Sequence, residues 1–116
     1  MSPAGWVPDA GEIVWLHFSP QMGHEQAGHR PAVVLSGIAY NRRRGMMICA
    51  PMSSKVKGYP FEVAIAGDSP SVALADQVKN VDWRARQATP KGWVAADELA
   101  VIREKVAVLI GCGETA

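Results

Sequence analysis

Between residues 23 and 31 the chain reads GHEQAGHRP. Five of these side chains, His24, Glu25, Gln26, His29 and Arg30, can titrate, hydrogen-bond or carry charge. Histidine changes charge near neutral pH, so His24 and His29 could move a proton or meet a phosphate. Glu25 could accept a proton, or it could pair with Arg30, a contact worth little on a surface. Arg30 offers a planar, permanently charged fork that fits phosphate oxygens. Gly23 and Gly28 permit a sharp turn or the close approach of a ligand, and Pro31 stiffens the exit. A solvated loop with no chemistry would have much the same composition.

The surrounding charge is uneven. Residues 26–61 hold Arg30, Arg42, Arg43, Arg44, Lys55 and Lys57 and no acid, which is half of the 12 bases in a chain of net charge +1. Folded onto one face, such a stretch attracts anions; scattered, it only keeps loops soluble. Trp15, Trp83 and Trp93 could stack on bases, but Trp15 and Trp83 are expected in the core of so small a protein. Cys49 lies in an apolar run and is expected to be buried and inert.

The elements that must position these groups are mostly strands. Glu12–Phe18 (EIVWLHF), Ala32–Ser36 (AVVLS) and Met46–Met52 (MMICAPM) are short apolar runs rich in branched or aromatic residues. Phe61–Ala66 alternates, with Phe61, Val63 and Ile65 on one face. Ser71–Lys79 reads as a fifth strand, and Val81–Arg86 continues the sheet after a turn. Gly37–Gly45 has room for one helical turn. Leu99, Ile102, Val106 and Leu109 form a helical stripe, with Asp97 and Glu98 in its first turn and Gly111 as its stop.

At 116 residues and 48% hydrophobic composition, the expectation is one domain, residues 1–116, and not a disordered chain. No apolar run is long enough to span a membrane, and the first residues do not read as an export signal. Two cysteines make neither a disulfide scaffold nor a metal-ligand pair. A cytoplasmic protein without cofactor or metal is expected. Five or six short strands closed by one helix suggest a mainly β fold, a small, partly open antiparallel barrel.

Five segments carry a resemblance: PDAGEIVWLHFSP (8–20), GHEQAGHRPAVVLS (23–36), KGYPFEV (57–63), VALADQVKNVDWRAR (72–86) and VLIG (108–111). With these the chain resembles the MazF/PemK toxins, sequence-specific endoribonucleases of toxin–antitoxin systems. The resemblance implies an SH3-like barrel with a C-terminal helix, shared with the CcdB toxins, and a homodimer that binds single-stranded RNA. It also implies metal-independent cleavage of mRNA, in which the ribose 2′-hydroxyl attacks phosphorus and leaves a 2′,3′-cyclic phosphate and a 5′-hydroxyl. Growth arrest follows, and a MazE-like antitoxin opposes it.

By the same resemblance Arg30, Glu25 and a hydroxyl after the third strand are catalytic. That hydroxyl is usually threonine; here PMSSK offers Ser53, with Ser54 as the alternative. His24, His29, Ser54, Lys57, Gln77 and Lys79 are the expected RNA contacts. Two other functions remain open: a CcdB-like poison of gyrase, and an RNA-binding module that does not cut. Fold alone does not separate them.

Overall fold

The computed structural model describes residues 3–18 and 28–112. Along the chain come β1 (Glu12–Phe18), β2 (Gly28–Val34), α1 (Ile38–Arg44), β3 (Met46–Ser53), β4 (Glu62–Ala64), β5 (Val72–Leu74), a 3₁₀ turn (Ala75–Gln77), β6 (Lys79–Asp82), β7 (Thr89–Trp93) and α2 (Ala96–Leu109). All strand pairings are antiparallel, in the order β4-β5-β3-β2-β1-β7, with β6 also on β3. The sheet does not close, in agreement with the expected partly open architecture.

The apolar runs are continuous because both sheet faces are buried. Ile13 and Val33 pair on one face and join Ala50, Met52, Val63 and Ile65 beneath Ile102 of α2. Val14 and Leu16 point the other way and pack with Ala32, Val34, Met47, Cys49, Val81 and Trp83. Of the helical stripe, Leu99, Ile102 and Val106 meet the core, whereas Leu109 is exposed.

β1 has the expected bounds, but other strands differ. The second strand starts at Gly28 and ends at Val34, not Ser36. Gly28 has φ +90°, a left-handed conformation that favours glycine. The fourth strand is only Glu62–Ala64. The stretch read as Ser71–Lys79 and Val81–Arg86 is one interrupted partner of β3. It pairs Val72 with Ser53, leaves the ladder as the 3₁₀ turn, and returns with Lys79 opposite Cys49. Pro51, which has no N–H to give, stands where β3 exchanges these partners. β7 was not expected from the sequence; it contains Pro90 and Gly92, both disfavoured inside a sheet, and it lies at a sheet edge, where proline is tolerated.

Two side chains hold the elements around the site. Buried Asn41 donates from Nδ2 to the carbonyls of Pro8 (2.8 Å) and Ser36 (3.0 Å), and its backbone carbonyl accepts Trp83 Nε1 (2.9 Å). It therefore ties α1, seven residues long instead of a single turn, to the N-terminal segment and the turn after β6. Glu98 accepts from the amides of Ala95 (2.8 Å) and Ala66 (2.7 Å). One carboxylate thus caps α2 and fastens the start of the 66–71 loop to it.

Candidate active site at the fork of the sheet

Arg30 lies opposite Leu16 in the β1–β2 ladder. The β2–β3 register pairs Ala32 with Pro51. Carried two residues toward the strand ends, that register sets Arg30 across from Ser53 on the same sheet face. There the strands separate: Gly28–Pro31 stay on β1, while Met52 and Ser53 pair with β5. The fork opens a pocket of about 470 Å³, lined by Arg30, Ser53, Ser54, Trp15, Lys91 and the 65–71 segment, including Asp68.

The strand-end hydroxyl is oriented. Ser53 Oγ accepts the Lys55 amide at 3.0 Å. A hydroxyl has two lone pairs and one proton, so this bond leaves the O–H able to donate. Ser54 lines the same pocket but is exposed. The following loop is held by Glu62, whose carboxylate accepts the amides of Lys57 (3.0 Å) and Gly58 (2.8 Å). Exposed Lys57 carries its ammonium 5.8 Å from the centre of the Tyr59 ring.

His29 does not line this pocket. It stacks between Trp15 (centroids 5.2 Å apart) and His17 (4.8 Å) on the β1–β2 surface. The Lys91 ammonium lies 5.3 Å from the Trp15 ring centre. Trp15 is therefore half-buried with a face toward the site, unlike Trp83, which is buried as expected. The expectation of a core Trp15 fails because β1 ends beside the fork, where nothing covers the ring completely.

Gln77 is exposed at the end of the 3₁₀ turn, and Lys79 opens β6. Lys79 sits beside Cys49, whose thiol burial pushes up to about 12 although Lys79 and Arg86 pull it down. His24 and Glu25 lie outside the described residues. The fork thus unites Arg30, Ser53 and Ser54, with His29 on the adjoining stack, and leaves Lys57, Gln77 and Lys79 outside the pocket lining.

Sequence reasoning missed Lys91, the 65–71 wall and the inward aspect of Trp15. The signal for Lys91 was weak, because its strand was not expected from the sequence. Arg42, Arg43 and Arg44 form the last turn of α1 and are exposed.

Fold and site together define a class: a small, helix-backed β-protein that opens a pocket lined by Arg30, Lys91 and Ser53 where its sheet forks. The family model of the PemK-like, MazF-like toxins of type II toxin–antitoxin systems matches residues 9–110. The endoribonuclease toxin MazF of Escherichia coli K12 is 56% identical over 107 residues, covering 91% of this chain and 96% of that protein. The endoribonuclease toxin ChpB of the same strain is 39% identical over 98 residues, covering 78% and 83%. The crystal structure of MazF from Deinococcus radiodurans superposes with a TM-score of 0.85 at 49% identity, covering 91% and 98%. A MazE–MazF complex from that organism gives 0.82 at 48% identity, again covering 91% and 98%. This chain belongs to the PemK/MazF toxin family.

Proposed function

We propose that the chain is the toxin of a type II toxin–antitoxin pair and acts as a metal-independent endoribonuclease on single-stranded RNA, mRNA in particular. The observation that carries the site assignment is the pocket shared by Arg30 and Ser53. The 2′-oxygen attacks the adjacent phosphorus, the bond to the 5′-oxygen breaks, and the ends are a 2′,3′-cyclic phosphate and a 5′-hydroxyl. One proton leaves the 2′-hydroxyl and one reaches the departing oxygen.

Between those steps the phosphorane carries extra charge. Arg30 faces that charge with a fork that hardly deprotonates, so its role is electrostatic and not that of a base. Ser53 adds a neutral donor from the opposite strand. Glu25 takes the 2′-proton or holds Arg30. Each acid–base group contributes about 10²–10⁴-fold, so the reaction needs the loop and the strand end together. His24, His29, Ser54, Lys57, Gln77 and Lys79 contact the RNA, with Gln77 suited to a base edge and the lysines to phosphates.

The chain acts in the cytoplasm as a homodimer. Exposed Ile48 and Ile110 border an apolar groove of about 220 Å³ with Leu35, Val106 and Ala107, a face that a second copy would cover. Among the described residues no helix is long and apolar enough to cross a membrane. A MazE-like antitoxin with an acidic segment that folds on binding would cover the basic site.

The test is digestion of a defined RNA in EDTA with mapping of the new ends. Cuts with 5′-hydroxyl ends that disappear in a folded Arg30→Ala variant support the proposal. Intact RNA with inhibited gyrase favours the gyrase reading, and tight RNA binding without a cut favours the binding module.

A further inference from the structure

β7 does not run in even register along β1. Trp15 stands opposite Thr89 and Val14 opposite Pro90, but Ile13 stands opposite Gly92 and Glu12 opposite Trp93. Lys91 is therefore the extra residue of a β-bulge. In even register it would lie across from Ile13, which is buried in the core cluster that holds Ile102 of α2, no place for an ammonium. The bulge gives that position to Gly92, which has no side chain, and re-aims Lys91. Bulges are used in this way beside active sites.

The new direction is into the pocket at the fork, which Lys91 lines together with Trp15, Arg30 and Ser53. Its Nζ lies 5.3 Å from the centre of the Trp15 ring. That attraction is to a ring face and ties no N–H to an acceptor, so it leaves the ammonium's donors able to turn to a phosphate. Arg30 on β2 and Lys91 on β7 flank β1 from opposite sides, two strand spacings or about 10 Å apart at the backbone. That separation suits two successive phosphates of one strand, with the nucleoside between them over Trp15. Asp68 brings a negative charge to the same lining, and Lys91 offsets it.

We propose that the bulged Lys91 binds the backbone phosphate next to the scissile one, and so sets which phosphorus lies between Arg30 and Ser53. This rests on the endoribonuclease reading. One phosphate contact on a single strand contributes about 0.7 to the slope of log affinity against log salt. Over a tenfold change of salt that is about fivefold in affinity.

The probe is an oligonucleotide spanning the mapped cut, with deoxyribose at the scissile nucleotide, titrated by fluorescence anisotropy at several salt concentrations. Two further probes each carry one uncharged methylphosphonate, at the phosphate on the 5′ or the 3′ side of the scissile one. Lys91→Met keeps an apolar stem against Trp15 and removes the charge; Lys91→Arg keeps the charge. The expected slope is shallower by about 0.7 in Lys91→Met and restored in Lys91→Arg. The affinity lost in Lys91→Met should vanish on one of the two methylphosphonate probes, where the charge it met is already gone. On cleavable RNA the larger effect falls on KM, not on kcat. A loss in Lys91→Met that is equal on all three probes, or a wild-type slope and KM, overturns the proposal whatever the Tm. If the wild type still cuts the parent RNA beside such a result, the endoribonuclease reading stands without Lys91; if it cuts nothing, both fall.

Discussion

Replacing Ser53 by alanine separates its two tasks. The first is structural: Oγ accepts the Lys55 amide at 3.0 Å in an exposed turn. When the hydroxyl is removed, water can take that N–H, so the loss of stability is about 0.5–1 kcal/mol. The second task, under the proposed mechanism, is to donate to the phosphorane. Loss of one such donor costs about 10²–10³ in rate, equivalent to about 3–4 kcal/mol. The two magnitudes differ enough to be told apart. Single-turnover cleavage of a fluorophore–quencher RNA with enzyme in excess reads the rate, and thermal unfolding reads the stability. Ser53→Ala is expected to cut roughly a hundredfold or more slowly with a nearly unchanged Tm. Ser53→Thr keeps the donor with a stiffer rotamer and retains activity. Ser54→Ala, at the exposed neighbour, loses less than about tenfold. A Ser53→Ala rate within about threefold of wild type, or a deeper loss in Ser54→Ala, would refute the assignment.

Asn41→Ala leaves the Pro8 and Ser36 carbonyls without their shared donor; at about 1–3 kcal/mol per buried orphan, a loss of about 2–6 kcal/mol and a Tm lower by roughly 10–25 °C are expected by calorimetry. Burial raises Glu12 above its ordinary 4.5 despite the bonds from Trp6 Nε1 and the Asp9 amide. The folded state therefore holds that proton more tightly, and stability falls as pH rises from the ordinary value through the raised one. Urea titrations of wild type and Glu12→Gln should show a wild-type advantage that narrows as pH rises from about 4 to about 7; a widening gap contradicts the sign. In a thiol titration near neutral pH, exposed Cys112 should react and Cys49 only after unfolding, because burial raises Cys49 to about 12; a reactive Cys49 in the native protein contradicts this.

Strongly local signals were legible from the sequence. Glu12–Phe18 is a strand because its apolar content leaves no other place for it, and the structure keeps those bounds. The spacing of Leu99, Ile102 and Val106 placed α2. Arg30 and Ser53, chosen as chemically apt, meet in one pocket, but only the separation of β3 from β2 explains how. What stayed illegible depends on distant pairing. The 3₁₀ turn inside 71–86 reflects the exchange of partners along β3. β7 is a strand because β1 offers an edge, not because TPKGW favours one. Lys91 reaches the pocket through that edge, and nothing near it in sequence marks it.

The central claim is that a fixed guanidinium and a neighbouring hydroxyl let the RNA cut itself with its own 2′-oxygen. The most direct measurement compares two oligonucleotides that differ only by a 2′-deoxy substitution at the scissile nucleotide, incubated in EDTA and resolved by mass. The all-ribose strand should yield a 2′,3′-cyclic phosphate and a 5′-hydroxyl, and the substituted strand should stay intact while binding equally well. Cleavage of the 2′-deoxy strand, or products bearing a 5′-phosphate, would contradict the account.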